Sequence, residues 1–398
     1  MRILLIALPD SIHTARWVSQ IADRDWDIHL FPSLDVGFVH PEMNNLKAYL
    51  PLYGIRRCPG SVKIKGLPLF SDYFARGATS LLTKAGFYKD YQLNRLLKLI
   101  RKVKPDIIHS LEIQHAGYLA LEARKRMTGG FPPWIVTNWG SDIYLFGRLP
   151  EHEARIRDVL AACDYYSCEC QRDVCLAKAY GFAGRVLPVF PNAGGFDLEY
   201  VAAMRSPGPV SARRVIMLKG YQHWAGRALV GLRALARCSD LLRDYEVAIY
   251  GASPDVKLAG ELFSQSTGVQ TTIVPKDSPH FEILRLHGRA RISIGLSISD
   301  AISTSLLEAL VMGSFPIQSW TACADEWIED GRTGILVPPE DPEEVEKAIR
   351  RALTDDELVD QAAESNQRLA RERLDRARLQ SMAADIYTTV MKEKGAAL

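Results

Sequence analysis

Short apolar runs, many of them β-branched, alternate along the chain with longer stretches whose apolar positions recur every three or four residues. In the first half the runs Ile3–Leu8, Asp27–Phe31, Asp106–His109, Trp134–Thr137, Tyr165–Cys168 and Val186–Val189 predict strands. Helical spacing appears between them in Ser11–Ala22, Gln92–Val103, His115–Met127 and Glu151–Ala162. The second half repeats the scheme, with strands predicted at Val215–Leu218, Glu246–Tyr250, Thr271–Val274, Ile292–Leu296, Phe315–Gln318 and Gly334–Val337. Such alternation implies parallel sheets covered by helices on both faces. Arg205–Ser211, rich in Pro, Gly and Ser, predicts a linker, so two doubly wound α/β domains join near residue 208. From about Asp341 to Met391 the pattern is almost wholly helical, a tail expected to cross back over the first domain. Ligands in this architecture belong at the C-terminal ends of strands, in the cleft between domains.

Length and composition support that division and narrow the partners. At 398 residues the chain is too long for one ordinary core and fits two domains. A net charge of +2 gives no general reason to bind nucleic acid. Residues 1–199 hold 25 Lys+Arg against 20 Asp+Glu, and the remainder 24 against 27, a mild polarity that suits an acidic ligand on the N-terminal side. The opening run Met1–Leu8 is too short for a signal peptide and ends at Pro9-Asp10 without a small-residue cleavage site. No run reaches the ~18 apolar residues that span a bilayer. Seven cysteines at irregular spacing suggest reduced thiols in a cytoplasmic protein. Cys163, Cys168, Cys170 and Cys175 cluster without a CxxC pair, so a zinc site is not expected, and Cys168 and Cys170 should point into a core.

The most informative stretch runs from Ile292 to Ile317 and reads as strand, polar loop, helix, Gly313 at the helix stop, then strand. A polar loop feeding a helix N-terminus offers free N–H groups and a positive dipole end, which suit a phosphate. Ser303, Thr304 and Ser305 stand at that helix start, with Asp300 in the loop and Glu308 in what reads as the first turn. Glu308 could accept hydrogen bonds from ribose hydroxyls, and Asp300 could face a sugar ring. Alternatively Ser305-Leu-Leu-Glu308 is a capping box that needs no ligand, and Asp300 an ordinary loop aspartate.

The stretch resembles the signature of retaining glycosyltransferases of family 4, which have the GT-B fold. That signature sets two acids eight positions apart, usually both Glu, before a Glu-Ala-hydrophobic-x-x-Gly helix and a strand containing Pro-hydrophobic. Here it reads Asp300, seven residues, Glu308-Ala-Leu-Val-Met-Gly313, then Pro316-Ile317. Trp327–Val337 and Pro191–Asp197 are similar to further family segments, and Val247–Gly251 to the second strand of its nucleotide domain. The resemblance implies that the first acid lies against the donor sugar and the second binds the ribose. It implies too that backbone amides at Ser303 to Ser305 hold the distal phosphate. Asp300 replaces the usual Glu and reaches about one methylene less.

The family places an Arg and a Lys just after the first strand of the second domain to neutralise the diphosphate. Lys219, preceding Gly220, and Arg227, beginning the next helix, are the counterparts here, about a residue off the usual pattern. Solvated helix-end charges are the plainer reading, and His223 and Trp224 could cover the site or pack beside it. In the N-terminal domain Val136–Ile143 resembles a segment usually reading His-Gly-Ser-Asp, with Trp139 standing where His is usual. Asn138 or Asp142 could supply that histidine's role, or Asp142 could cap the next turn. Ser11 and His13 in the first loop could meet donor phosphate or acceptor. His109, Glu112 and His115 lie near a strand end facing the cleft, where core or capping use is equally open.

Lys84–Lys104 sets Leu93, Leu96, Leu97 and Ile100 among basic residues, behind Phe87, Tyr88 and Tyr91. It reads either as a helix packed on its domain or as a contact for an anionic membrane.

The expectation is a GT-B α/β protein of two Rossmann-like domains with an interdomain cleft and a helical tail. Residues 1–207 would form the acceptor domain, 208–375 the nucleotide-sugar domain, and 376–398 the returning helix. It would move a sugar from a nucleoside diphosphate to a hydroxyl of a glycan or lipid-linked acceptor, with retention. No metal or other cofactor is implied, and it would be cytoplasmic, or peripheral to the inner face of the membrane. A nucleotide-sugar 2-epimerase and a non-catalytic nucleotide-sugar-binding partner are the alternatives. The base, the sugar and the acceptor are not written in the sequence.

Overall fold

A computed structural model describes every residue except 55–59, 72, 73, 76, 78–80, 82–87, 397 and 398, with no side-chain description at 88, 89 and 396. The chain divides into two compact units, one of residues 1–194 with 377–398 and one of residues 195–376.

The first unit is built on ten short parallel strands: β1 (Arg2–Ala7), β2 (Asp27–Pro32), β3 (Lys47–Ala48), β4 (Leu52–Gly54), β5 (Lys63–Ile64), β6 (Leu67–Leu69), β7 (Ile107–Leu111), β8 (Trp134–Thr137), β9 (Tyr165–Ser167) and β10 (Arg185–Val186). Eight form one sheet in the order β10-β9-β8-β7-β1-β2-β3-β5, while β4 and β6 pair separately. Its main helices are α1 (Ile12–Ile21), α2 (Tyr88–Val103), α3 (Tyr118–Arg126), α4 (Pro150–Ala162) and α5 (Gln171–Ala179).

Alternation along each strand divides the apolar residues between two faces. Leu4, Ile6, Ile108, Val136 and Tyr166 pack under α2, α3 and α4. Ile3, Leu5, Ile107 and Ile135 pack on the other face, against Trp17 and Ile21 of α1 and against Leu379, Ile386, Tyr387 and Val390. Those last four belong to the chain's final helix. Cys168 and Cys170 are both fully buried. The apolar positions of α2, Leu93, Leu96, Leu97 and Ile100, are all core, leaving Lys98, Arg101, Lys102 and Lys104 exposed. Arg95 is tied to Asp35 at 3.0 Å. Lys84 and Phe87 lie outside the described residues.

The second unit holds β11 (Val215–Lys219), β12 (Glu246–Tyr250), β13 (Gln270–Ile273), β14 (Ala290–Gly295), β15 (Phe315–Ser319) and β16 (Ile335–Val337), all parallel, ordered β13-β12-β11-β14-β15-β16. Helices α6 (Ala228–Arg237), α7 (Pro254–Thr267), α8 (His280–Arg289), α9 (Thr304–Met312), α10 (Pro342–Thr354) and α11 (Asp356–Arg373) cover it. Ile216, Leu218, Val247, Ile249, Ile292 and Ile294 bury one face. Met217 and Ala248 bury the other beside Ile283 and Leu286 of α8. Helix α12 (Arg376–Ala396) follows α11, and from Ala377 onward it is part of the first unit. No helix of the described residues is long and apolar enough to cross a membrane.

Candidate functional site

In the second unit the chain winds one way from β11 through β12 to β13 and the other way from β14 through β15 to β16. Neighbouring strands whose connections depart in opposite directions leave a crevice beyond their carboxyl ends. The loops after β11 and β14 therefore border it. Lys219 is the last residue of β11, and its Nζ donates to Ser303 Oγ at 3.0 Å. Ser303 is the extended N-cap residue of α9, and its Oγ lies 2.7 Å from Ser305 Oγ. An ammonium thus stands at the positive end of a helix, and Thr304 begins that helix beside it. Two positive features that converge in this way favour an anion between them.

Glycine at 220 is required by close approach: a Cβ there would fall 2.7 Å from Ala252 Cα. Asp300 is half-buried in the loop, where its Oδ1 accepts from Ala301 N at 2.9 Å. Arg227 is the residue before α6, as expected, but its guanidinium is turned to Glu340, Nε to Oε1 at 2.8 Å, and to the carbonyls of His223 and Gly226. His223 stands within the fields of Lys219, Arg227 and Asp300; burial first, then the two cations, lower its pKa. Trp224 is exposed and its ring lies 5.4 Å from His223.

Glu308 departs from the capping-box expectation. With Ser303 as the cap, α9 starts two residues before the box requires, so Glu308 falls in the second turn. Its carboxylate is nearly fully buried and meets α8 instead. His280 Nε2 lies 2.7 Å from Oε1, and His287 Nε2 lies 3.5 Å from Oε2. Burial alone would raise its pKa, but hydrogen bonds and charge from the two imidazoles outweigh that and hold the carboxyl well below the usual range. Tyr250, at the end of β12, faces the same carboxylate and bonds Ser305; burial and the Glu308 charge push its phenol up, so it stays neutral. His287 is itself fully buried, with Nδ1 at 2.9 Å from Ser293 Oγ, which in turn lies 2.7 Å from Ser314 Oγ.

The sequence pairs neither of the two histidines with Glu308, although His280 ends the polar loop Val274–His280. They are seven residues apart, two helical turns, and so share one face of α8. That spacing in His280–Arg289 was the available signal. What it did not show was the acid they meet, 21 and 28 positions along the chain.

The first unit has its own switch point, between β1 and β7. Ser11 caps α1 by accepting from His13 N at 3.2 Å, and the exposed His13 ring lies 5.3 Å from the half-buried Trp139 ring. His115 is also exposed. The other candidates turn inward. His109 is fully buried, with Nδ1 at 2.7 Å from Tyr387 OH and Nε2 at 2.6 Å from Thr137 Oγ1, and burial pushes its pKa down to about 3. It is a neutral core histidine, not a cleft residue. Glu112 accepts from His115 N and Ala116 N, and sits at φ 85°, a backbone region disfavoured for any residue with a Cβ. Burial, then the neighbouring Asp142, push its pKa up to about 8. Asp142 accepts from Ile113 N and Trp139 N, and burial lifts it to about 6. Asn138, also buried, donates to Asp173 at 2.6 Å and accepts from Gly140 N. Asn138 and Asp142 thus both brace the turn that carries Trp139.

Two family matches and a set of solved structures fit this geometry. Residues 213–369 match the family described as Glycosyl transferases group 1, and residues 83–165 match Glycosyl transferase 4-like. The chain is similar to sucrose-phosphate synthase from Thermosynechococcus elongatus at 14% identity, covering 100% of both chains with a TM-score of 0.68. It is similar to the Anabaena protein HepE in complex with UDP-glucose at 14% identity, covering 98% of this chain and 100% of that one, TM-score 0.66. A glycosyltransferase from Rickettsia africae gives 16%, 98% of each chain and 0.66. No curated protein sequence matches the chain closely enough to count as a relative. The fold is GT-B. With the two family matches, the chain is a glycosyltransferase of that type.

Proposed function

We propose that the chain is a retaining, metal-independent hexosyltransferase of family 4 type, moving a sugar from a nucleoside diphosphate to a hydroxyl of a glycan or lipid-linked acceptor. The observation that carries this reading is the Lys219–Ser303 bond at the start of α9, with the charged Glu308 one turn further on and Asp300 in the loop before. A diphosphate seated on the α9 amides would have Lys219 against its oxygens. Charge developing on the leaving group is then met by fixed positive groups, which is where electrostatic catalysis acts. Arg227 joins them by exchanging Glu340 for phosphate. That pairing is only partly shielded and costs little to give up. Glu308 would take the ribose hydroxyls and Asp300 the sugar.

Similar structures in complex with UDP or with UDP-glucose support a nucleotide-sugar donor and make uridine the first base to try. The exposed charges of α2 give a membrane-held acceptor an electrostatic attraction of about 1 kcal/mol per residue at an anionic surface. Its apolar side is not available for insertion. The working location is the cytoplasm.

The test is a thermal-shift and calorimetric panel of UDP, GDP, ADP and CDP with their sugars, followed by NMR of the donor with and without acceptors. Binding of one nucleoside diphosphate, with transfer and retained anomeric configuration, is expected. Conversion of the donor alone at C2 would replace this reading with an epimerase. Absence of binding by any nucleotide would remove it.

A further inference from the structure

Two histidines hold the acid that the proposed function assigns to the ribose, and this inference rests on that reading. Glu308 is 4% exposed and charged, so its oxygens need partners whether or not a ligand is present. The partners differ in kind. His287 comes from the protein interior, 0% exposed, fixed at Nδ1 by Ser293 and with Nε2 facing Glu308 Oε2 at 3.5 Å. Its ring is further held by an edge contact with Tyr250, centroids 5.6 Å apart. His280 comes from the solvent side. It is the first residue of α8, its side chain is 44% exposed, and it closes on Glu308 Oε1 at 2.7 Å.

We infer that His287 is a positioning residue for the ribose-binding carboxylate, and that His280 is its removable partner, whose bond the ribose diol takes over when a nucleotide binds. The buried imidazole fixes the carboxylate's rotamer through Oε2. The exposed one satisfies Oε1 in the empty site, so the crevice does not hold an unpaired buried charge. A cis-diol offers two hydroxyl donors to that same carboxylate. It therefore competes with His280 and not with His287.

The groups facing Glu308 are the two histidines from α8 and the Tyr250 phenol from β12, with Ser305 from α9 and Ser293 behind His287 from β14. Burial keeps the phenol neutral, and of the two imidazoles only that of His280 is exposed enough for a ligand to replace it.

The test is isothermal titration of the full chain with the nucleoside diphosphate that binds best, and with its 2′,3′-dideoxy counterpart. The variants are His280→Ala, His287→Gln and His287→Leu. His280→Ala removes the competitor, so it is expected to bind the diol ligand about fivefold more tightly than the parent, the net worth of one hydrogen bond. It should keep the preference for the diol over the dideoxy ligand. His287→Leu should lose most of that preference, and His287→Gln, whose amide reaches the Nε2 position, should recover it. If His287→Leu does not fold, the His280→Ala affinity and the His287→Gln preference carry the test. A His280→Ala affinity equal to or weaker than the parent's, or a diol preference intact in folded His287→Leu or lost in His287→Gln, overturns the inference while leaving nucleotide binding in place. No binding of any nucleoside diphosphate by the parent overturns both.

Discussion

Two buried glutamates stand near the switch points of the two sheets, and the protein treats them oppositely. Glu112 follows β7 in the first unit, and Glu308 lies just inside the helix that follows β14 in the second. Each is about 4% exposed. Glu112 is given backbone N–H groups and an acidic neighbour, and its pKa rises to about 8. Glu308 is given two imidazoles, and its pKa falls. Desolvation is the largest influence on both, so burial does not decide the charge state; the partner does. The first arrangement spends a carboxyl on holding a strained turn. The second keeps a carboxylate charged beside a crevice, where a ligand can use it.

Four substitutions test this contrast and the site around it. The largest effect on binding is expected from Glu308→Gln, which removes the charge but keeps the shape; nucleotide affinity measured by calorimetry should fall about 100-fold, the worth of charged hydrogen bonds. Lys219→Ala should lower kcat/KM about 30-fold, chiefly through kcat, since its charge matters most as the diphosphate leaves. Glu112→Gln reads the other half of the contrast. A carboxyl whose folded pKa is raised contributes stability that is full below about pH 4.5 and is lost as the pH rises towards 8. The amide mimics the protonated form, so urea denaturation should show the variant more stable than the parent by about 4 kcal/mol at pH 8 and nearly equal to it at pH 4.5. Glu308 has the opposite sign: its contribution is present above about pH 4.5 and is lost as the pH falls below that. The smallest effect is expected from Asp300→Asn, about tenfold in kcat with donor affinity nearly unchanged. Equal losses in both would mean that Asp300 binds the ground state.

The strand pattern was legible where apolar runs were long. Trp134–Thr137 and Glu246–Tyr250 appear with the expected bounds. The two-residue strands Lys47–Ala48 and Lys63–Ile64 were not legible, because two residues carry no period. The start of α9 was misread for a different reason. Ser303, Thr304 and Ser305 are all good caps, and only the fold selects the first. The position of Asp300, Lys219 and the Ser303–Ser305 amides in one unit followed from motif spacing. The two histidines on Glu308 did not, since contact across 21 and 28 residues is made by helix packing. The inward turn of His109 was equally hidden: a polar residue at a strand end looks the same in sequence whether Tyr387 waits behind it or solvent does.

The hydrogen bonds from Trp17 Nε1 and His109 Nδ1 to Tyr387 OH, at 2.8 and 2.7 Å, have a consequence for how the chain is made. A protein leaves the ribosome from its N-terminus, and domains generally fold in that order. Here the sheet of the first unit is synthesised before the second unit, yet one face of it waits for a helix made after that unit. Until Tyr387 arrives, Trp17 and His109 lack the partner that satisfies them. The second unit has all its own elements by Arg376. It can finish folding before the first, so the order of completion runs against the order of synthesis.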